Sequence, residues 1–289
     1  MSTIWYNIQY KLLQSYSKLN LLISLNIIVF LLINVPDTLV WLFTHTHIIS
    51  NYSDQTLLLP AYLPKLLSHF WTPFTYMFMH DGPFHILFNL LWLYWFGQIF
   101  EEYLGNKRTF GLYIMGGLTG ALFFVIAFNT IPVFIPVNNT SYPLLVGASA
   151  SVMAIIVATA TLLPNYTIAL FIIGPVKLKW LALFFVITDF LGITGLNAGG
   201  EIAHLGGALM GFVYIKQLQQ GHDWITIISN WFKPRPNLKV VSNNPSKASA
   251  GAPRQEEIDH ILDKISKSGY DNLSKQEKEV LFRASNKEN

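Results

Sequence analysis

The sequence predicts an all-α membrane protein: a six-transmembrane-helix bundle followed by a small cytoplasmic helical tail. Three observations predict it. Of 289 residues, 52% are hydrophobic and only 12% charged, against about 25% charged in a soluble domain, and the mean hydropathy is +0.39. Six apolar stretches follow one another, most of them near the 20 residues or so that cross a bilayer core of roughly 30 Å. Basic residues gather in alternate connections, which imposes one orientation on all six.

The first stretch runs from Leu19 to Phe43. No A-x-A-like cleavage site follows it, and its length makes it a span that is retained. The connection from Thr44 to Pro83 is long for a helical bundle, and loops beyond about 15 residues tend to be functional or disordered. Within it, Phe70-Trp71-Thr72-Pro73-Phe74 reads either as a piece lying in the membrane interface beside a site or as an ordinary aromatic anchor. The second stretch covers Phe84 to Tyr103, the third Thr109 to Phe128 and the fourth Val146 to Leu163. The fifth, Leu178 to Leu191, is short, so it is tilted or extended by its neighbours. The sixth spans Ile202 to Leu218.

After Lys233 the composition changes. Pro234-Arg235-Pro236 and the Ser/Asn/Pro/Ala/Gly run from Val241 to Pro253 read as a linker. Two short amphipathic helices are expected beyond it. Ile258, Ile261, Leu262 and Ile265 give the first an apolar face, with Gly269 suited to its C-cap. Ser274-x-x-Glu277 has the form of a capping box for the second. The expected division is a cytoplasmic N-terminus (1–18), a membrane domain (19–220), a linker (234–253) and a helical tail (254–289). The tail carries no catalytic signature; docking and purely structural roles are both open.

Lys11 and Lys18 precede the first span, Lys107 and Arg108 separate the second and third, Lys177 and Lys179 the fourth and fifth, and Lys216 ends the sixth. Lys65 is the one basic residue in the alternate loops. Both termini are therefore placed in the cytoplasm, and the even-numbered spans enter from outside. The absence of cysteine excludes a disulfide, a thiolate nucleophile and a Cys-ligated metal. A net charge of +3 gives no ground for a nucleic-acid partner.

Each even-numbered span opens on polar residues. His80 precedes the second, which carries His85 and Asn89; Gly147 and Ser149 open the fourth, and His204 the sixth. By the charge pattern His85, Asn89, Ser149 and His204 lie in one layer, roughly 5–10 Å below the outer surface at about 1.5 Å per residue, while His80 in the preceding loop either supports that loop or touches the site. Ser149 at a helix N-terminus sits where unpaired N–H groups favour an oxyanion; capping or small-residue packing is the plainer use of such a serine. Ala150, Ala154 and Ala158 form a small-residue stripe beside it. His204 shares a face with Gly207 and Gly211, so it points at the helix those glycines press against, and the Ala150 stripe is the natural partner. His85 and Asn89, at i and i+4, share a face and suit either interhelical hydrogen bonding or donation to a developing oxyanion. Glu101, Gly105 and Arg108 lie at the inner end of the second span and are read as ties of the cytoplasmic turn. Asp189 is placed near the outer interface and outside the chemistry.

Together these residues closely resemble the rhomboid intramembrane serine proteases. The family's His-x4-His-x3-Asn appears as His80, His85 and Asn89; Trp95-Phe96-Gly97, Glu101, Gly105 and Arg108 look like its Trp–Gly–Glu–Gly–Arg block, with Phe110 one place late. Its Gly-x-Ser falls on Gly147 and Ser149, and its His-x2-Gly-x3-Gly on His204, Gly207 and Gly211. The chain departs from the family at Ala150, where glycine is usual, at Met153, where many relatives have an aromatic, and at Trp71-Thr72, where a Trp-Arg pair is usual.

The resemblance implies a rhomboid-like bundle that hydrolyses peptide bonds of transmembrane substrates near the outer face. In that scheme Ser149 attacks, His204 is general base and then acid, and the Ser149 N–H, His85 and Asn89 hold the oxyanion. His80, Gly147 and Gly207 support the site. No third acidic member is expected; helix packing and the glycines orient the imidazole. The fifth span is the implied lateral gate. No metal or organic cofactor is implied, and the partners are the lipid bilayer and transmembrane substrates. Two other classes stand beside this one: a catalytically inactive relative that binds transmembrane helices, and a metal or haem protein using His80, His85 and His204. Short loops and a six-span core suggest a bacterial plasma membrane.

Overall fold

A computed structural model describes residues 17–135, 142–170, 174–231 and 255–285. Lys11 and the expected linker at 234–253 lie outside the described residues. The chain divides into two compact units, Met1–Lys233 and Pro234–Asn289.

In the first unit, α1 is Lys18–Thr44. Ser17 caps it, its hydroxyl oxygen accepting from the Asn20 N–H at 3.1 Å. The connection from α1 to the next long helix folds into three short helices, α2 (Ile48–Leu57), α3 (Leu63–Ser68) and α4 (Thr72–Thr75). A two-residue strand β1 (Leu59–Pro60) pairs antiparallel with β2 (Leu144–Leu145). The bundle continues with α5 (Pro83–Leu104), α6 (Asn106–Thr130), α7 (Ser149–Leu162), α8 (Leu178–Gly192) and α9 (Ala198–Gln219), followed by the short α10 (Trp224–Trp231). A hairpin, β3 (Thr167–Leu170) with β4 (Gly174–Lys177), joins α7 to α8. The six long helices begin and end within a few residues of the six apolar stretches. Among the described residues, α1 and α6 are long and apolar enough to cross a membrane on length and composition alone.

Helix α7 is the axis of the bundle. Every residue from Ala150 to Ala160 is buried, as a helix apolar on all sides requires. Its neighbours reach it through glycine. A Cβ built on Gly207 would fall on the Ala150 carbonyl, and one on Gly211 on the Ala154 carbonyl. From α6, a Cβ on Gly120 would lie 2.6 Å from the Ala150 methyl and 2.8 Å from the Ala203 carbonyl. The small residues of three helices therefore interlock backbone to backbone, which is how helices associate where lipid removes the hydrophobic drive.

The helix ends remote from Ser149 are tied by polar bonds. Glu101 accepts from the Ser17 hydroxyl at 2.7 Å and the Lys18 N–H at 2.9 Å. Arg108 donates through Nε to Asp223 at 2.9 Å and through Nη1 to the Leu104 carbonyl at 3.1 Å. Gly105, at φ +79°, makes the tight α5–α6 turn that a side chain would strain.

In the second unit, α11 (Gln255–Ser268) and α12 (Lys275–Ser285) are joined by a short 3₁₀ turn. Gly269 ends α11 at φ +82°. The capping box is made in both directions: Ser274 N–H to Glu277 at 2.7 Å and Glu277 N–H to the Ser274 hydroxyl at 3.3 Å. Lys264 donates to the same carboxylate at 2.8 Å.

Candidate active site

Ser149 is the first residue of α7, and its approach is fixed by pairing rather than by helix. β2 is held by β1, and the Gly147 N–H donates to the Tyr76 carbonyl at 3.0 Å. Tyr76 is itself buried, its hydroxyl donating to the Gly117 carbonyl at 2.6 Å. Gly147 then turns the chain at φ +115°. A Cβ there would lie 2.8 Å from His85 Nε2 and 3.6 Å from Ser149 Oγ, so His85 and the serine hydroxyl border the same narrow gap. Protein encloses this non-helical stretch, with Gly147 and Ala148 both buried.

The Asp81 N–H donates to His85 Nδ1 at 3.3 Å. That bond assigns the neutral ring's proton to Nε2, the nitrogen facing the gap. Asn89, one turn on, donates one amide hydrogen to the His85 carbonyl at 2.9 Å and keeps the second. His80 stacks edge-on against His85, ring centroids 5.1 Å apart. It lines a separate cavity of about 110 Å³, together with Asn34, Ser50 and Asp54. Neither of its ring nitrogens has a partner among the described residues, and burial, with His85 adding to it, pushes its pKa down to about 4.

His204 lies in the first half of α9. A cavity of about 500 Å³ gathers Ser149, His204, His85, Asn89, Met153 and Asp189 from four helices. Met153 thus forms part of the wall at the position where many rhomboid sequences carry an aromatic. Gly207, one turn after His204 on the same face, is the point at which α9 meets α7.

Contrary to the expectation from sequence, acidic groups do accompany the histidine. His204 Nδ1 lies 3.1 Å from Asp189 Oδ1 and 3.7 Å from Glu201 Oε2. The turn from Ile193 to Asn197 folds α8 back on α9, so Asp189, one turn from the end of α8, lines the cavity beside His204 rather than standing outside the chemistry. Glu201 belongs to none of the sequence motifs, although its spacing of i, i+3 from His204 is a readable signal. The three histidines weighed as metal ligands are not gathered. Among the described residues, the group whose ligand atoms lie within 4.8 Å of one another is Asp189, Glu201 and His204. Phe70 is exposed, and Trp71 Nε1 donates to the Thr56 carbonyl at 2.8 Å.

Apolar helices surround a half-open cavity that carries a serine, two histidines and an asparagine, and the domain to which they belong is that of an integral membrane protein. The rhomboid domain pattern matches residues 67–220, more than half of the sequence, and the chain belongs to the rhomboid family. Residues 249–287 match a second pattern, a family of unknown function (DUF6576). The chain is 31% identical over 157 residues to RHOMBOID-like protein 12, mitochondrial, of Arabidopsis thaliana, covering 52% of this chain and 47% of that protein. It is 28% identical over 225 residues to Presenilin-associated rhomboid-like protein A, mitochondrial, of Danio rerio, covering 75% of this chain and 50% of that one. Over 55 residues it is 38% identical to Rhomboid protease GlpG of Salmonella newport (strain SL254), covering 19% of this chain and 20% of that protein. The chain spans half the length or less of these relatives. Their names are mitochondrial as well as bacterial, so the similarity does not favour the bacterial plasma membrane suggested by the loops.

Proposed function

We propose that the chain is an intramembrane serine endopeptidase that cleaves transmembrane proteins near one face of the bilayer, its six long helices crossing the membrane with both termini cytoplasmic. The observation that carries this reading is the shared cavity: a serine at a helix N-terminus, a histidine with Nδ1 held, and a histidine and an asparagine with N–H groups to spare. Ser149 attacks the scissile carbonyl while His204 Nε2 takes the hydroxyl proton. The oxyanion is met by the Ser149 N–H at the unpaired start of α7, by His85 Nε2–H and by the free Asn89 amide hydrogen. His204 then returns the proton to the leaving amine, and water repeats the sequence on the acyl-enzyme. His80 supports the His85 ring, and Gly147 and Gly207 admit the close approaches that place both ends of the dyad.

Retention of both Ser149 and His204 weighs against an inactive helix-binding relative. The test is modification by a fluorophosphonate, with the adduct located by mass spectrometry. A single adduct on Ser149 that disappears in His204→Ala is expected. Absence of an adduct from folded wild-type protein, or labelling undiminished by His204→Ala, contradicts the proposal.

A further inference from the structure

We propose that Asp189 is a positioning residue for His204, making the site a Ser–His–Asp arrangement in which Glu201 stands 3.7 Å from the same nitrogen as a second carboxylate. The inference rests on the protease reading above and deepens it.

An ionisable side chain in an apolar helix is costly and calls for a reason. Asp189 is only 9% exposed. One carboxylate oxygen meets His204 Nδ1 at 3.1 Å, and the other is buried with no partner among the described residues. The imidazole is thus the group this carboxylate engages, and packing alone does not account for an aspartate there. The charged or titratable groups that face His204 are Asp189 from α8, Glu201 from its own helix and His85 from α5; α7 offers the Ser149 hydroxyl. Gly192 lets the Glu201 side chain lie against the end of α8, since a Cβ at 192 would stand 3.1 Å from the Glu201 carboxyl carbon.

The consequence is a choice of tautomer. A carboxylate at Nδ1 keeps the proton on that nitrogen and leaves the Nε2 lone pair free for the serine. As the Ser149 Oγ–carbon bond forms, the hydroxyl proton passes to Nε2, and the imidazolium is held between ionised Asp189 and the oxyanion. The proton then leaves with the amine as the carbon–nitrogen bond breaks. Asp189 stays ionised throughout. Because the bond joins α8 to α9, it exists only while α8 is seated against the site.

The test uses the full chain in liposomes with a fluorogenic transmembrane substrate. Asp189→Asn keeps the shape but offers Nδ1 an N–H donor, which favours the unproductive tautomer. In soluble Ser–His–Asp proteases this change costs about 10⁴-fold in kcat. With Glu201 beside the same nitrogen, a fall of about 10²-fold is expected, with KM unchanged within about twofold. Asp189→Glu is expected to regain about tenfold of that loss, and Glu201→Gln to cost only a few-fold. The double change Asp189→Asn with Glu201→Gln is expected to fall by more than the product of the two, because each carboxylate backs up the other.

A kcat within about threefold of wild type in Asp189→Asn overturns the proposal. So does an effect confined to KM, or an equal loss in Asp189→Glu accompanied by a lower thermal midpoint, which marks a structural role. Loss of wild-type activity on chelation with recovery in zinc reassigns the cluster to a metal. Ser149→Ala is run alongside: activity that survives it sinks the protease reading itself, whereas activity that needs Ser149 but ignores Asp189 sinks only this inference.

Discussion

Replacing Gly207 by alanine probes the tightest glycine contact among the described residues. The added Cβ overlaps the Ala150 carbonyl oxygen, and Gly211 faces the Ala154 carbonyl in the same way one turn further on. These oxygens are fixed by the hydrogen-bond ladder of α7 and cannot swing aside as a side chain would. An ordinary carbon–oxygen contact is about 3.3–3.6 Å, so α9 and α7 must part by on the order of 1 Å. Overpacking of this kind costs about 1–3 kcal/mol, which corresponds to a thermal midpoint lower by roughly 2–12 °C for a unit of this size. His204 sits one turn before Gly207 and Ser149 next to Ala150, so the same displacement moves the proposed base away from the proposed nucleophile. A misplacement of about 1 Å can cost about 10²-fold in rate. The assay is thermal unfolding in detergent together with the rate of fluorophosphonate labelling. Gly82→Ser is the control: nothing lies within 4 Å of its Cβ, its φ of 165° is extended, and serine suits the N-cap it occupies. Gly207→Ala with unchanged midpoint and unchanged labelling refutes the backbone-to-backbone packing of α9 on α7.

Three further outcomes follow from the same geometry. Gly147→Ala strains a backbone at φ +115° and meets the His85 ring 2.8 Å away; a loss of about 1–3 kcal/mol and slower labelling of Ser149 are expected, read in the same two assays. His80, held neutral with its pKa near 4 against an ordinary 6.5, gains a proton on unfolding anywhere between those values. Folding stability is therefore lost as pH falls from about 6.5 towards 4, and His80→Phe is expected to flatten the thermal midpoint over that interval. In the tail, the Lys264 ammonium and the Ser274 N–H hold Glu277 down to about 2 against an ordinary 4.5. The α11–α12 pair is expected to keep its amide protection above that ordinary value and lose it as pH falls towards 2, and Lys264→Met is expected to bring the loss to higher pH in hydrogen-exchange mass spectrometry.

Much of the bundle is legible in the sequence because each cue has a single physical reading. Long apolar runs form helices with ends within a few residues of those expected. The face shared by His204, Gly207 and Gly211 does press on the Ala150–Ala154 stripe, since a backbone without Cβ is useful only where another backbone arrives. Glu101 and Arg108 tie the helix ends around the α5–α6 turn, as their place at the end of an apolar run suggests. Less is legible where chain direction reverses. Val146 reads as part of the fourth apolar run, yet helix α7 starts only at Ser149, because a short extended apolar piece and a buried helix start share the same composition. The β3–β4 hairpin is absent from the hydropathy pattern, although Gly174-Pro175 and the β-branched residues around Ile168 are turn and strand signals. Asp189 and His204 stand fifteen positions apart, a spacing with no helical meaning. Only the Ile193–Asn197 turn makes them neighbours, and no pattern in one sequence encodes how sharply that turn closes.

If Ser149 and His204 form a working proteolytic pair within the membrane, the full chain cleaves a reconstituted transmembrane substrate and loses that ability when either residue is changed. The decisive comparison is therefore wild type beside Ser149→Ala and His204→Ala at equal amounts of folded protein. Two product fragments are expected with wild type and none with either variant. Equal cleavage by all three would rule the pair out, as would folded wild-type protein that leaves several substrates intact and also refuses the fluorophosphonate.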